Sequence, residues 1–165
     1  MINQMKAILK ANAMGVLATS SDTIPHCSSM AYITNDDGDR LFFVTRKETR
    51  KYRTIRQNPC VSFLVDTRMS HKDRQAIQAL TVSGKCAMVT DMNTASRLLV
   101  EMAQQHPHLN EIMHHPDVAI LEFRIESMQL LKGPVEQHVQ QLNSSTDSLQ
   151  ETNDAMDIAR RVIHD

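Results

Sequence analysis

The chain has 165 residues, 41% of them hydrophobic and 22% charged, with a formal net charge of -1. That is the composition of an ordinary globular chain long enough for one self-sufficient core, and the balanced charge gives no bulk electrostatic reason to expect a nucleic acid or a membrane as partner. No run reaches the roughly 18 apolar residues of a transmembrane helix, and the first residues lack a signal peptide's apolar centre, so the expected location is the cytoplasm.

The first element is a helix over residues 2–13, with Ile2, Met5, Ile8 and Leu9 on one face and Gly15 as its C-terminal cap. Its apolar face suits a lid on one end of a barrel. A strand over 14–19 and a turn over 20–23 lead to a second strand over 24–34, where Pro25 is confined to the start because it cannot donate to a ladder. The centre of that strand, Ser28 to Ala31, is small and mixed in character, as if something flat packs against it. A turn over 35–39, Asn-Asp-Asp-Gly-Asp, then returns the chain into a third strand.

The stretch 41–65, LFFVTRKETRKYRTIRQNPCVSFLV, has the order of parts an anion site needs. Two apolar strand segments flank it, and Asn58-Pro59 stops the helix between them. Arg46, Lys47, Arg50, Lys51, Arg53 and Arg56 put six cations into eleven residues, with Glu48 alone opposing them in sequence. A helix starting near Thr49 or Arg50 leaves its first N–H groups without intrahelical acceptors, where a phosphate can accept them. Thr45 and Thr49 add hydroxyls, Arg50 a planar fork and Lys51 a point charge. The alternative for the four helical cations is a solvated helix face.

Residues 66–75 are polar and without periodicity, which marks a loop and a candidate substrate lid. A long strand over 77–90 is interrupted by Gly84, a signal of a bulge or barrel corner. Asp91 or Asn93 caps the next helix, whose apolar positions are Ala95, Leu98, Leu99, Met102 and Ala103. Pro107 ends it, and a short helical piece follows over 109–113. His114 and His115 are adjacent and do not share a helix face, so no metal site is assigned. A sixth and last strand runs over 118–131; residues 133–146 read as a polar linker, and 147–164 as an amphipathic helix with Leu149, Ala155, Ile158, Ala159, Val162 and Ile163 on its edge. Cys27, Cys60 and Cys86 are too few and too scattered for a disulfide framework, and each reads as a small buried hydrophobe. The sharper alternative is a redox thiol at Cys27.

The segment TRKETRKYRTIRQNPCVSFL resembles the pyridoxamine 5′-phosphate oxidase family, in which a strand-end Thr, a Ser/Thr-Arg-Lys triplet and a helix closed by Asn-Pro follow one another. The likeness extends more loosely over 14–132. It implies a mainly β (α+β) fold, a six-stranded antiparallel split barrel with connecting helices, to which this chain adds a C-terminal helical extension. The domain would occupy 1–132, with the linker and helix at 133–165. It also implies that Thr45, Thr49, Arg50 and Lys51 hold the phosphate of flavin mononucleotide (FMN), and that Ser29, Met30 and Ala31 lie along the flavin ring. Gln78 is the nearest counterpart of a family glutamine against the flavin, one position off, with Ala79 at the matching place.

The resemblance further implies a homodimer with flavin sites at the subunit interface and the end of the last strand near that interface. The C-terminal helix is expected to pack on the partner subunit. The expected function is an FMN-dependent oxidoreductase acting on a small molecule, with no catalytic residue assigned and His26 as one candidate acid or base. The family's oxidases carry Arg and Lys where this chain has Ser29 to Thr34, and Trp and Arg near their end; this chain has no Trp, which points away from pyridoxamine-phosphate oxidase itself. The alternatives are a non-catalytic flavin carrier or redox-sensing module, a heme-binding relative, and a deazaflavin user.

Overall fold

The computed structural model describes residues 1–71, 73–133 and 136–142. Eight strands form one antiparallel sheet: β1 (Met14–Ser21), β2 (Ile24–Ala31), β3 (Ile33–Thr34), β4 (Arg40–Arg46), β5 (Cys60–Asp66), β6 (Gln78–Met88), β7 (Val118–Lys132) and β8 (Glu136–Gln141). Among the described residues there are four α-helices, α1 (Ile2–Ala11), α2 (Arg50–Gln57), α3 (Met92–Gln105) and α4 (Asn110–Met113). The sheet order is β2-β1-β5-β6-β7-β4-β3, with β8 on the second half of β7.

The two ends of that order are β2 and β3, which are consecutive in the chain. The sheet therefore curls until its edges meet, the split barrel that the family resemblance implies. Tyr32 is the joint. Its N–H donates to Ala13 O, its carbonyl accepts from His106 Nε2 at 2.9 Å, and its hydroxyl donates to Leu9 O at 2.7 Å. All three polar groups are thus satisfied outside the ladder, so a break in the strand costs little. Burial pushes the Tyr32 phenol well above its usual range and keeps it a donor.

Inside the barrel lie Leu17, Tyr32, Leu41, Phe43, Phe63, Leu80, Val82, Phe123, Met128 and Leu130. Helix α1 adds Met5, Ile8 and Leu9 to this core, closing the barrel as its apolar spacing predicts. A second cluster forms outside, where Ile33, Phe42, Val44 and Ile120 meet Leu98 and Met102 of α3 and Met113 of α4. Strand β4 is apolar on both faces because both are covered, which explains its unbroken Leu41 to Val44 run. Asp91 accepts from Thr94 N at 2.8 Å and starts α3.

Three details differ from the sequence reading. Gly15 does not cap α1, which ends at Asn12 in extended backbone. It lies in β1, where a Cβ would come within 2.5 Å of the Phe63 ring. The second strand divides at Tyr32, and the 133–146 segment read as linker contains β8, so the strands number eight rather than six. Gly84 does mark a bulge: the β6–β7 register shifts between Ser83 and Gly84, and a Cβ there would meet Arg124 O at 2.0 Å. The proposed helix over 147–164 lies outside the described residues.

Candidate functional site

Strand β4 ends in Arg46, a turn carries Lys47 and Glu48, and Thr49 caps α2. The Thr49 hydroxyl donates to Arg46 O at 2.8 Å, accepts from Tyr52 N at 3.4 Å, and lies 3.1 Å from Thr45 Oγ1. Because Thr49 spends its proton on Arg46 O, the Thr45 hydroxyl is the donor between the two. Thr45 is 3% exposed, and Thr49 is its hydrogen-bond partner. The two threonines therefore build the turn before any ligand arrives.

Arg50 and Lys51 open the helix, so their N–H groups have no intrahelical acceptor. Arg50 is exposed and Lys51 half-buried, and neither has a carboxylate within salt-bridge distance among the described residues. Burial draws the Lys51 ammonium below the ordinary lysine range, a cost an adjacent anion relieves. The other cations are used differently. Arg46 is held by Glu48 at 2.7 Å, with its Nε 4.0 Å from Asp117, and Arg53 donates to Glu48 O. Asp117 also accepts from Glu48 N at 3.1 Å and so fixes the turn from the start of β7. It stands far from the turn in sequence, so the local charge count had missed it.

The second group of expected residues lies on β2, which pairs with β1 and also approaches β4. β3 pairs with β4 as Ile33 with Phe42, and that ladder does not extend to Ala31. Ser29 is exposed, while Met30 packs into the barrel core. Gln78 stands apart. It opens β6, accepts from Gln4 Nε2 at 3.2 Å, and donates its N–H to Thr67 Oγ1; among the described residues no hydrogen bond joins it to the turn. His26 is half-buried on β2, opposite Thr19.

The cysteine reading needs correction. Cys27 and Cys60 are exposed and only Cys86 is buried, because the first two fall on outward positions of their strands. Burial, with the Glu122 carboxylate adding to it, pushes the Cys86 thiol up to about 12. The loop over 66–75 leaves β5 beside an Asp66–Arg68 pair at 2.6 Å and ends in a 3-10 turn, Arg74–Ala76. Among the described residues, no helix is long and apolar enough to cross a membrane.

A family model described as pyridoxamine 5′-phosphate oxidase matches residues 1–132. No curated protein matches the sequence. Among solved structures, a FAD-binding protein from Mesorhizobium loti superposes with a TM-score of 0.65 at 20% identity, over 79% of this chain and 93% of that one. A heme binding protein from Mycobacterium smegmatis gives 0.70 at 14%, over 83% and 57%. A Listeria innocua protein provisionally called a pyridoxamine 5′-phosphate oxidase gives 0.65 at 20%, over 79% and 98%. At such identities these likenesses establish the fold.

Proposed function

The chain belongs to the pyridoxamine 5′-phosphate oxidase family, and from that premise we propose that it binds FMN at the turn before α2 and acts as an oxidoreductase on a small molecule. The observation that carries the reading is the turn itself. Thr45 and Thr49 set its shape, two helix N–H groups lie open at its mouth, and Arg50 and Lys51 supply charge, with no carboxylate in salt-bridge distance of either among the described residues. This donor set fits one terminal phosphate. The Mesorhizobium loti protein of the same fold, called FAD-binding, supports a flavin; the single short cradle favours the mononucleotide.

Bound flavin would supply hydride or electron transfer. The chain's own residues bind and orient it. Arg50 grips phosphate oxygens, Lys51 neutralises them, and the backbone of Ser29 to Ala31 offers a flat edge for the ring. No residue is assigned as acid or base. The reading includes a homodimer with a flavin site at each interface.

A second reading, heme binding, has one observation in its favour, the fold shared with the Mycobacterium smegmatis protein. Visible absorption of the purified protein, with added FMN and then NADH or NADPH, separates them. Bound flavin that bleaches on reductant supports the enzyme; bound flavin that does not bleach supports a carrier. A Soret band would replace flavin with heme.

A further inference from the structure

Helix α2 has a second working edge. At 3.6 residues per turn, Tyr52 and Arg56 lie across the helix from Arg50, Lys51 and Thr54, and Arg53, three residues after Arg50, lies between the two edges with its guanidinium donating to Glu48 O. On that edge an open cavity of about 660 Å³ lies between α2 and the end of β6. Its floor is apolar, with Tyr52, Ile55, Met88 and Leu121 among its atoms, and its rim carries Lys47, Arg53 and Arg56. Among the described residues, no carboxylate lines it. Cys86 in its wall stays a thiol, and the Tyr52 hydroxyl is turned to Met88 Sδ at 3.2 Å, so no lining group opposes the three cations. The volume lies inside the roughly 300–1,000 Å³ range of small-molecule sites.

We propose that this cavity, which adjoins the flavin turn through Lys47 and Arg53, is a second ligand site and takes an organic anion: an apolar body on the Tyr52–Met88–Leu121 floor and a carboxylate, phosphate or sulfonate between Arg53 and Arg56. Three cations around an apolar floor match a ligand that is itself divided into a charged head and an apolar body. A purely apolar ligand would leave the cations unused, and inorganic phosphate alone would leave the floor wet. The flavin phosphate is assigned to Arg50 and Lys51, neither of which lines the cavity, so both ligands can be held at once.

The test is calorimetric titration of the full chain with 1-anilinonaphthalene-8-sulfonate, with and without saturating FMN. The expected result is one site whose affinity FMN leaves unchanged and which Arg53→Ala with Arg56→Ala weakens by about fivefold or more. Arg53→Lys with Arg56→Lys should restore most of the affinity. Met88→Trp, which crowds the cavity floor while keeping its charges, should abolish binding, and circular dichroism confirms that each variant is folded. Failure of the wild type to bind overturns the proposal. So does displacement by FMN, a smaller loss in the Arg53/Arg56 pair, or full binding by Met88→Trp. Because Arg50→Ala with Lys51→Ala spares this cavity, it should leave the sulfonate affinity intact whatever becomes of flavin binding.

Discussion

Replacing Thr49 by valine removes a hydroxyl that serves three partners. The helix loses its N-cap contact to Tyr52 N, which typically costs about 1 kcal/mol. The Thr45 hydroxyl, 3% exposed, loses its acceptor, and a stranded buried donor costs about 1–3 kcal/mol more. Thr49→Val should therefore destabilise by about 2–4 kcal/mol in total. Thr45→Val is different in kind: valine has nearly the same shape and suits a buried site, and Thr49 keeps Arg46 O and Tyr52 N, so about 1 kcal/mol or less is expected. In the double variant the helix cap is still lost but no Thr45 hydroxyl is left stranded, and its cost should fall below the sum by at least about 1 kcal/mol. Urea denaturation of the four proteins measures this cycle. Additivity within about 0.5 kcal/mol would refute the reasoning, since the two hydroxyls would then not depend on each other.

Other consequences can be checked alongside. Gly84→Ala sets a Cβ against Arg124 O at 2.0 Å and against Glu126 N at 3.0 Å, both backbone atoms that cannot rotate away. A loss of about 3 kcal/mol, read as a thermal midpoint lower by about 6–12 °C, is expected. For Lys51 the folded value lies below the ordinary one of about 10.4, so the apo fold gains stability as pH rises between the two. If Lys51 neutralises the flavin phosphate as proposed, binding needs the ammonium form, and the affinity should begin to fall with rising pH below the ordinary lysine range. Fluorescence titration at several pH values measures that fall, and Lys51→Arg should remove it.

Residues with strong local physics were the legible ones. Thr49, Asp91 and Pro107 bound their helices where their chemistry requires, and Gly84 marks the bulge. The misses share a cause, since each depends on what lies across the fold. Nothing near Tyr32 in sequence says that its backbone is satisfied by Ala13 and His106, so a strand broken in two looks whole. β8 is polar because it lies along β7 with Glu136, Gln137, Val139 and Gln141 exposed, and with Val139 as its one large apolar residue it gives no alternating signal. Gly15 is explained by the Phe63 ring from β5, and Asp117 by a turn on another strand. The candidate site was legible where it is contiguous, from Thr45 to Lys51. The assignment of Ser29 to Ala31 to the same site rests on the family resemblance alone.

The central claim, that flavin is held by its phosphate at the start of α2, is tested most directly by FMN fluorescence quenching on the wild type and on Arg50→Ala with Lys51→Ala. Two lost charge-assisted contacts, each about 1.5–3 kcal/mol, predict a dissociation constant higher by about two to four orders of magnitude in a protein that is still folded. A folded variant that binds FMN within about threefold of the wild type would place the phosphate elsewhere and contradict the account.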